Sequence, residues 1–387
     1  GVPAPRVARA LVELNGRALG LYVLKEGFTE DFLAIHFQRI SDGLFEPAGG
    51  HDVDQKLKRN SVLAPAGNRT ALKALATAAA EPEPVRRWQR LQTTLETDRF
   101  IAFMAMEILL GHRDGYCLAR NNFRVYHDLD SGRMVFFPHG MDQLLGTADF
   151  PWQPSLAGLV ANAVMTTPEG KARYAATFGS LLTNVFKVEA LTNRVDQLVQ
   201  ELRPVLGGGD WARLREQASI VKDRMVQRKL SLISQLNQPT AQPLALTAGV
   251  ARLEGWMSAE SSPKATLDQV KGPEGLALHI AITDEAAASW RTKALIQRGR
   301  YRFEGRVRIA NVEPLAYGVH HGAGLRVGGH TRQTGSFTGN SSWRVLTGDF
   351  RVEQPTEEVE FICELRARIG EAWFDLSSLQ VVQVGDL

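Results

Sequence analysis

Asp114 is the residue whose neighbours best equip it for chemistry. It stands in the polar loop His112-Arg-Asp-Gly-Tyr116, straight after an apolar stretch from Phe100 to Leu110. A run that is apolar almost all round forms a buried helix, and a loop hung on such a helix holds its carboxylate rigidly. A fixed carboxylate can take the proton of a hydroxyl. With hard oxygen ligands for Mg²⁺ close by, it meets what phosphoryl transfer asks of a protein. The plainer alternative is that Asp114 caps a turn with Gly115. Two strand-like segments follow, Asn122-Phe-Arg-Val-Tyr126 and Met134-Val-Phe-Phe137. Asp128-Leu-Asp-Ser-Gly132 turns between them, and the second runs into Pro138-His-Gly-Met-Asp142. Two strands with polar groups at their loop ends, behind a buried helix, make a site-like layout.

The elements before this loop carry their own signals. Residues 6–13 and 19–24 alternate as strands around Asn15-Gly16, the dipeptide that best suits a type I′ turn because both central residues need positive φ. Thr29 is placed as the N-cap of a short helix holding Phe32, Ile35 and His36. Asp42-Gly43 turns the chain, Ala71 to Ala80 reads as helix, and Glu81-Pro-Glu-Pro84 breaks it. Thr97 caps the buried helix and Gly111 stops it. Helical segments then run to about Leu236, including 185–206 and 211–236. The Pro-containing stretch Gln238-Pro-Thr-Ala-Gln-Pro243 reads as a linker. Beyond it, short alternating runs such as Leu276-Ala-Leu-His-Ile280 and Val359-Glu-Phe-Ile-Cys363 are separated by Gly and Asn turns, the texture of an antiparallel β-sandwich. The fold class expected is therefore α+β, with residues 1–238 as one domain, 239–246 as linker and 247–387 as the sandwich.

Composition closes off several classes. At 387 residues, 44% hydrophobic and 22% charged, the chain is an ordinary globular protein of two or three domains. A net charge of +3 makes no electrostatic case for nucleic acid. No apolar run reaches the roughly 18 residues of a membrane helix. Two cysteines, Cys117 and Cys363, build no disulfide framework. The first residue is Gly1, and the opening reads as the middle of a domain.

The N-terminal portion resembles the CotH kinase family, the spore coat protein H group of atypical protein kinases. The likeness rests on an ordered set: Leu14-Asn-Gly-Arg-Ala-Leu-Gly-Leu-Tyr-Val-Leu-Lys-Glu26, Phe32 within Glu30-Asp-Phe-Leu33, Gly43-Leu-Phe45, Asp114-Gly-Tyr116, Asn122-Phe-Arg-Val-Tyr126 and Phe136-Phe-Pro-His-Gly-Met-Asp142. It covers about residues 1 to 236. It implies a partial protein-kinase-like domain whose earlier portion, with an Arg-Gly-Asn-Ser stretch and a Lys-bearing strand, lies outside this sequence. It also implies ATP and Mg²⁺ as cofactors, Asp114 as the catalytic Asp, and Asn122 as a metal ligand with Asn121 the weaker choice. Asp142 is implied as a second metal ligand, and Glu26 as a strand-end residue touching the nucleotide or else a solvated strand terminus. Lys25 points to the opposite face from Glu26 if the strand is regular. Two departures stand out. Gly140 occupies the place of the first acid in the family's Pro-Trp-Asp-x-Asp motif, and Phe45-Glu46 replaces a Tyr-Lys pair.

Residues 247–387 resemble carbohydrate-binding modules of the galactose-binding-like jelly-roll type, on Gly255-Trp256, Trp290-Arg-Thr, Gly299-Arg-Tyr-Arg-Phe-Glu-Gly305, Trp343 and Glu371-Ala-Trp-Phe-Asp375. Trp256, Trp290 and Trp343 are the sugar-stacking candidates, with a core role as the alternative. His320, His321 and His330 read as loop residues. The expectation is a secreted or surface-associated bacterial protein that phosphorylates a Ser or Thr hydroxyl of a Ser/Thr-rich protein. The alternative is an inactive kinase-like scaffold whose sandwich binds a glycan or wall polymer.

Overall fold

The computed structural model describes residues 1–40, 43–46, 50–55, 58–59, 69–237, 241–272, 275–318, 321–328 and 337–385. Asp42, His320, His330 and residues 238–240 of the expected linker lie outside these. The chain divides into two compact units, residues 1–146 with 152–185, and residues 147–151 with 186–387.

The first unit opens with the hairpin Val7–Leu14 and Arg17–Lys25. Asn15 and Gly16 both take positive φ, 52° and 77°, as their turn demands. Thr29 caps the helix Glu30–His36 by accepting from the Phe32 amide. A four-stranded antiparallel sheet follows, in the order Lys58–Arg59, Leu44–Glu46, Phe123–His127, Met134–Pro138. Successive strand residues face opposite sides, so Phe136 and Phe137 serve two cores. Phe137 packs on Phe28 and Phe32, with ring centroids 5.9 and 5.6 Å away. Phe136 packs on Phe100 at 4.6 Å, on the buried helix Thr97–Leu109. Glu96, not Thr97, is the N-cap position. Gly111 ends the helix with φ 65°. Below the sheet, the buried carboxylate of Asp52 accepts from the Tyr116 hydroxyl and from the Leu159 and Val53 amides at 2.7–3.0 Å. Burial pushes that carboxyl above its ordinary value against the pull of these bonds.

The second unit includes two helices that sequence reading assigned to the first domain, Val188–Leu202 and Gly208–Asn237. Their charged residues find partners far along the chain. Asp223 pairs with buried Arg366, and Ser234 donates to Glu360, which also pairs with buried Arg291 at 3.0 Å. A buried cation left unpaired is strongly unfavourable, so these contacts bind helix to sheet. Among the described residues the sheet comprises nine strands. Its two longest elements, Ala286–Pro314 and Gly339–Asp375, cannot stay straight within one unit at about 3.3 Å per residue. They fold over and pair in segments. Ala286 meets Ala367 and Gln297 meets Thr356, then Gly299 meets Val352 and Arg306 meets Val345. The partner number falls as the strand number rises, the mark of antiparallel pairing. Trp290 and Ile296 from the first half of Ala286–Pro314 share one core with Tyr301, Phe303 and Ile309 from the second, so two layers close over a common interior. Cys117 and Cys363 are buried free thiols in separate units. Among the described residues no helix is long and apolar enough to cross a membrane.

Candidate functional site

The site begins with a charge inside the buried helix. Glu107 is 1% exposed, and its two carboxylate oxygens accept from the Tyr116 and Cys117 amides at 3.0 and 2.9 Å. These are unsatisfied N–H groups at the start of the short helix Tyr116–Ala119, so the carboxylate pins the loop before it. His112 fills the gap between. Its Nδ1 lies 3.6 Å from Glu107 and its Nε2 lies 3.2 Å from the Gly140 carbonyl. Burial opposes charge on His112, but Glu107, the Gly140 carbonyl and Asp114 outweigh it and raise the imidazole above its ordinary value. Gly115 is required by space. A Cβ there would stand 2.5 Å from the Glu107 carboxylate and 2.7 Å from His112.

On this support Asp114 is half-buried. Asn122 Nδ2 donates to its carboxylate at 2.7 Å, and Asn121 Nδ2 donates to both oxygens at 3.1 and 3.2 Å. Asn122 takes positive φ, 50°, just before the strand. That turn aims its side chain back at Asp114. Its amide oxygen faces Gly140, itself at φ 54°, where a Cβ would come within 2.2 Å. Gly140 and the inward Asn122 are therefore one feature: Asn122 Oδ1 occupies the space a side chain at 140 would need.

The other expected residues are not hydrogen-bonded into this corner. Asp142 is exposed beyond the Gly140 turn and shares no hydrogen bond with Asp114 or Asn122 among the described residues; its charge acts on His139. Glu26 is taken up by an ion pair with Arg6 on the hairpin. Lys25 reaches the hairpin end instead, with Nζ 3.0 Å from His139 Nε2. Glu46, at the second departure, pairs with Arg124 at 2.9 Å. Lys25 and Arg124 thus put two cations beside His139. Burial first, then Arg124 and Lys25, lower its pKa to about 4.

That depression has a sign. The fold favours neutral His139, so the stability it contributes is complete above its ordinary value of 6.5 and is lost as pH falls through about 4. The melting temperature should drop across this window, and His139→Gln should flatten that part of the profile. A profile identical to that of the parent would remove His139 as its cause.

The oxygen donors suit a hard cation. Magnesium keeps several waters and takes one or two protein ligands alongside phosphate oxygens, and Asn122 Oδ1 at this corner offers one. Among the described residues no group of three His, Cys, Asp or Glu converges. Sequence reading missed Glu107 and His112. In the sandwich, Trp256 and Trp290 are core residues, 6% and 7% exposed, with their indole N–H groups on the Leu253 and His279 carbonyls. Only Trp343 of the three candidates reaches the surface.

Invasin CotH2 of Rhizopus delemar is 28% identical over 134 residues, 30% of this chain and 22% of that protein, so the chain spans less than a quarter of that relative. Among solved structures, TmCBM61 in complex with beta-1,4-galactotriose overlaps 35% of this chain and 92% of its own at 13% identity and a TM-score of 0.25. A family 35 carbohydrate binding module from Clostridium thermocellum overlaps 35% and 97% at 14% identity and a TM-score of 0.24. Likenesses this slight say nothing about a ligand. The model of the CotH kinase protein family matches residues 1–220, more than half of the sequence, and the chain belongs to that family.

Proposed function

We propose that the first unit is the acceptor-side part of a kinase-like domain that transfers phosphate from ATP to Ser or Thr hydroxyls of a surface protein. The observation that carries this reading is the meeting of Asp114 and Asn122 at the open end of the 123–138 hairpin. Mg·ATP, when bound, supplies the phosphoryl group and neutralises its charge. Asn122 Oδ1 would hold the ion. Asp114 orients the acceptor hydroxyl and takes its proton. Lys25 and Arg124 add positive charge where a polyphosphate is to be met. Asp142 stays outside this set.

Two measurements test the reading on the full chain. Incubation with labelled ATP and Mg²⁺ should label the chain itself or a Ser-rich protein. Mg·ATP at about a hundred times its Kd should add about 2.7 kcal/mol by mass action, a rise of a few degrees in melting temperature. An unchanged melt with no transfer would sink the enzymatic reading.

One observation favours a second reading. Asn122 fills the space of the family's first acid, and the second unit carries a pocket flanked by Trp343 and Trp373. In that reading the lobe is an inactive scaffold, and the second unit is a galactose-binding-like jelly roll that binds glycan. A glycan array showing saccharide binding, with no nucleotide effect on the melt, is its expected signature.

A further inference from the structure

A row of planar side chains crosses the outer face of the second unit's sheet. His279 pairs across strands with Trp373, and Trp373 pairs with Arg308. The imidazole and indole stack at 4.8 Å and 15°. The Arg308 guanidinium sits 4.2 Å from the Trp373 ring and 5.6 Å from Trp343 on the neighbouring strand. Both faces of Trp373 are therefore covered, by His279 and by Arg308, and a sugar cannot lie flat on it. The row instead offers an exposed guanidinium in contact with two indoles. Such a fork is pre-organised for a carboxylate.

The local charge balance selects the ligand. Asp375, buried at the pocket floor, is taken by Arg306 at 2.6 Å and by Ser377. Glu371 is taken by His279 at 2.8 Å. Arg308 and Lys271 line the same pocket of about 310 Å³, and neither has a carboxylate partner among the described residues. A second hollow of about 440 Å³ adjoins on the other side of Arg308, lined by Asn340, Ser341 and Ser342. Those groups suit hydroxyls. Two hollows meeting at one fixed cation form a groove for a chain of rings, and their size is that of small-ligand sites.

We propose that this groove binds an acidic polysaccharide, with a uronate carboxylate on the Arg308 fork and neighbouring hydroxyls on the Asn340–Ser342 side. The proposal rests on the glycan reading of the second unit and adds to it the charge class of the ligand. The test titrates the full chain with polygalacturonate oligomers, the same oligomers methyl-esterified, neutral galactan and xylan oligomers, and inorganic sulfate, following tryptophan fluorescence and heat. Polygalacturonate should bind, more weakly as salt rises, and esterification should weaken it about tenfold or more, the worth of a charge-assisted hydrogen bond. Arg308→Gln should match esterification in size without moving the melting temperature. Lys271→Gln, at an exposed position, should give a smaller loss. Equal binding of esterified and free oligomers would overturn the charge class and leave the glycan reading standing. No binding of any saccharide would overturn both. Sulfate competing as strongly as the oligomer would reduce the groove to a simple anion site and overturn the proposal.

Discussion

Glu107→Ala should lower the stability of the first unit by about 3–5 kcal/mol, because two buried amides lose their acceptor at about 1–3 kcal/mol each and a void is added. Among the described residues the carboxylate alone accepts from the Tyr116 and Cys117 amides, and it is only 1% exposed. Gln at this position keeps one carbonyl oxygen, so Glu107→Gln should cost about half as much. It also brings an amide N–H against His112 Nδ1, which has no hydrogen-bond partner at 3.6 Å from Glu107. Urea unfolding of the two variants, with the slope unchanged, is the measurement. A loss below about 1 kcal/mol for the alanine variant would mean that the loop carrying Asp114 is held by something other than this carboxylate. The same variants should weaken any Mg·ATP stabilisation, since the Asp114 loop hangs directly on the Glu107 bonds.

The part of this arrangement legible in the sequence is the part written in short-range signals. Asn15-Gly16, the Thr29 cap, the Gly111 stop and the 128–132 turn each depend on neighbours within a few residues, and the structure forms all four. Glu107 and His112 depended on partners across a helix end. A signal was nonetheless present, because a Glu in the middle of an otherwise apolar helix must find donors or go unsatisfied. Glu26 and Lys25 show how a one-residue choice is lost. Alternation places them on opposite faces, but which face meets the 138–142 loop depends on how the hairpin lies on the sheet. The helix Gly208–Asn237 reads as a continuation of the helical run before it. Asp223 and Ser234 tie it to the second unit's sheet through Arg366 and Glu360, more than a hundred residues downstream. Trp373, within the quoted Glu371-Ala-Trp-Phe-Asp375, stands outside the three stacking candidates for a related reason. Half-exposure of one Trp and burial of two others is a property of the folded sheet, and the residue types are identical.

Asp114→Asn should abolish phosphate transfer, with a loss of about a thousandfold, the middle of the range for removing a positioned general base, while leaving the fold and nucleotide binding nearly intact. The geometry makes this substitution unusually clean. An amide oxygen at 114 can still accept from Asn121 and Asn122, which now donate at 2.7–3.2 Å, so the corner keeps its shape and loses its charge and its proton acceptor. The loss should therefore appear in kcat, with the nucleotide's effect on the melting temperature changed little. Asn122→Ala is the contrasting variant. It keeps the carboxylate and removes the amide oxygen facing Gly140, so its transfer should recover in part as Mg²⁺ concentration is raised, whereas that of Asp114→Asn should not. If Asp114→Asn retains transfer within tenfold of the parent, the carboxylate is a turn cap and the proton has another acceptor. His112 is fully buried behind the loop, with Nε2 on the Gly140 carbonyl and Nδ1 facing Glu107, so it cannot take over that role without the loop unfolding.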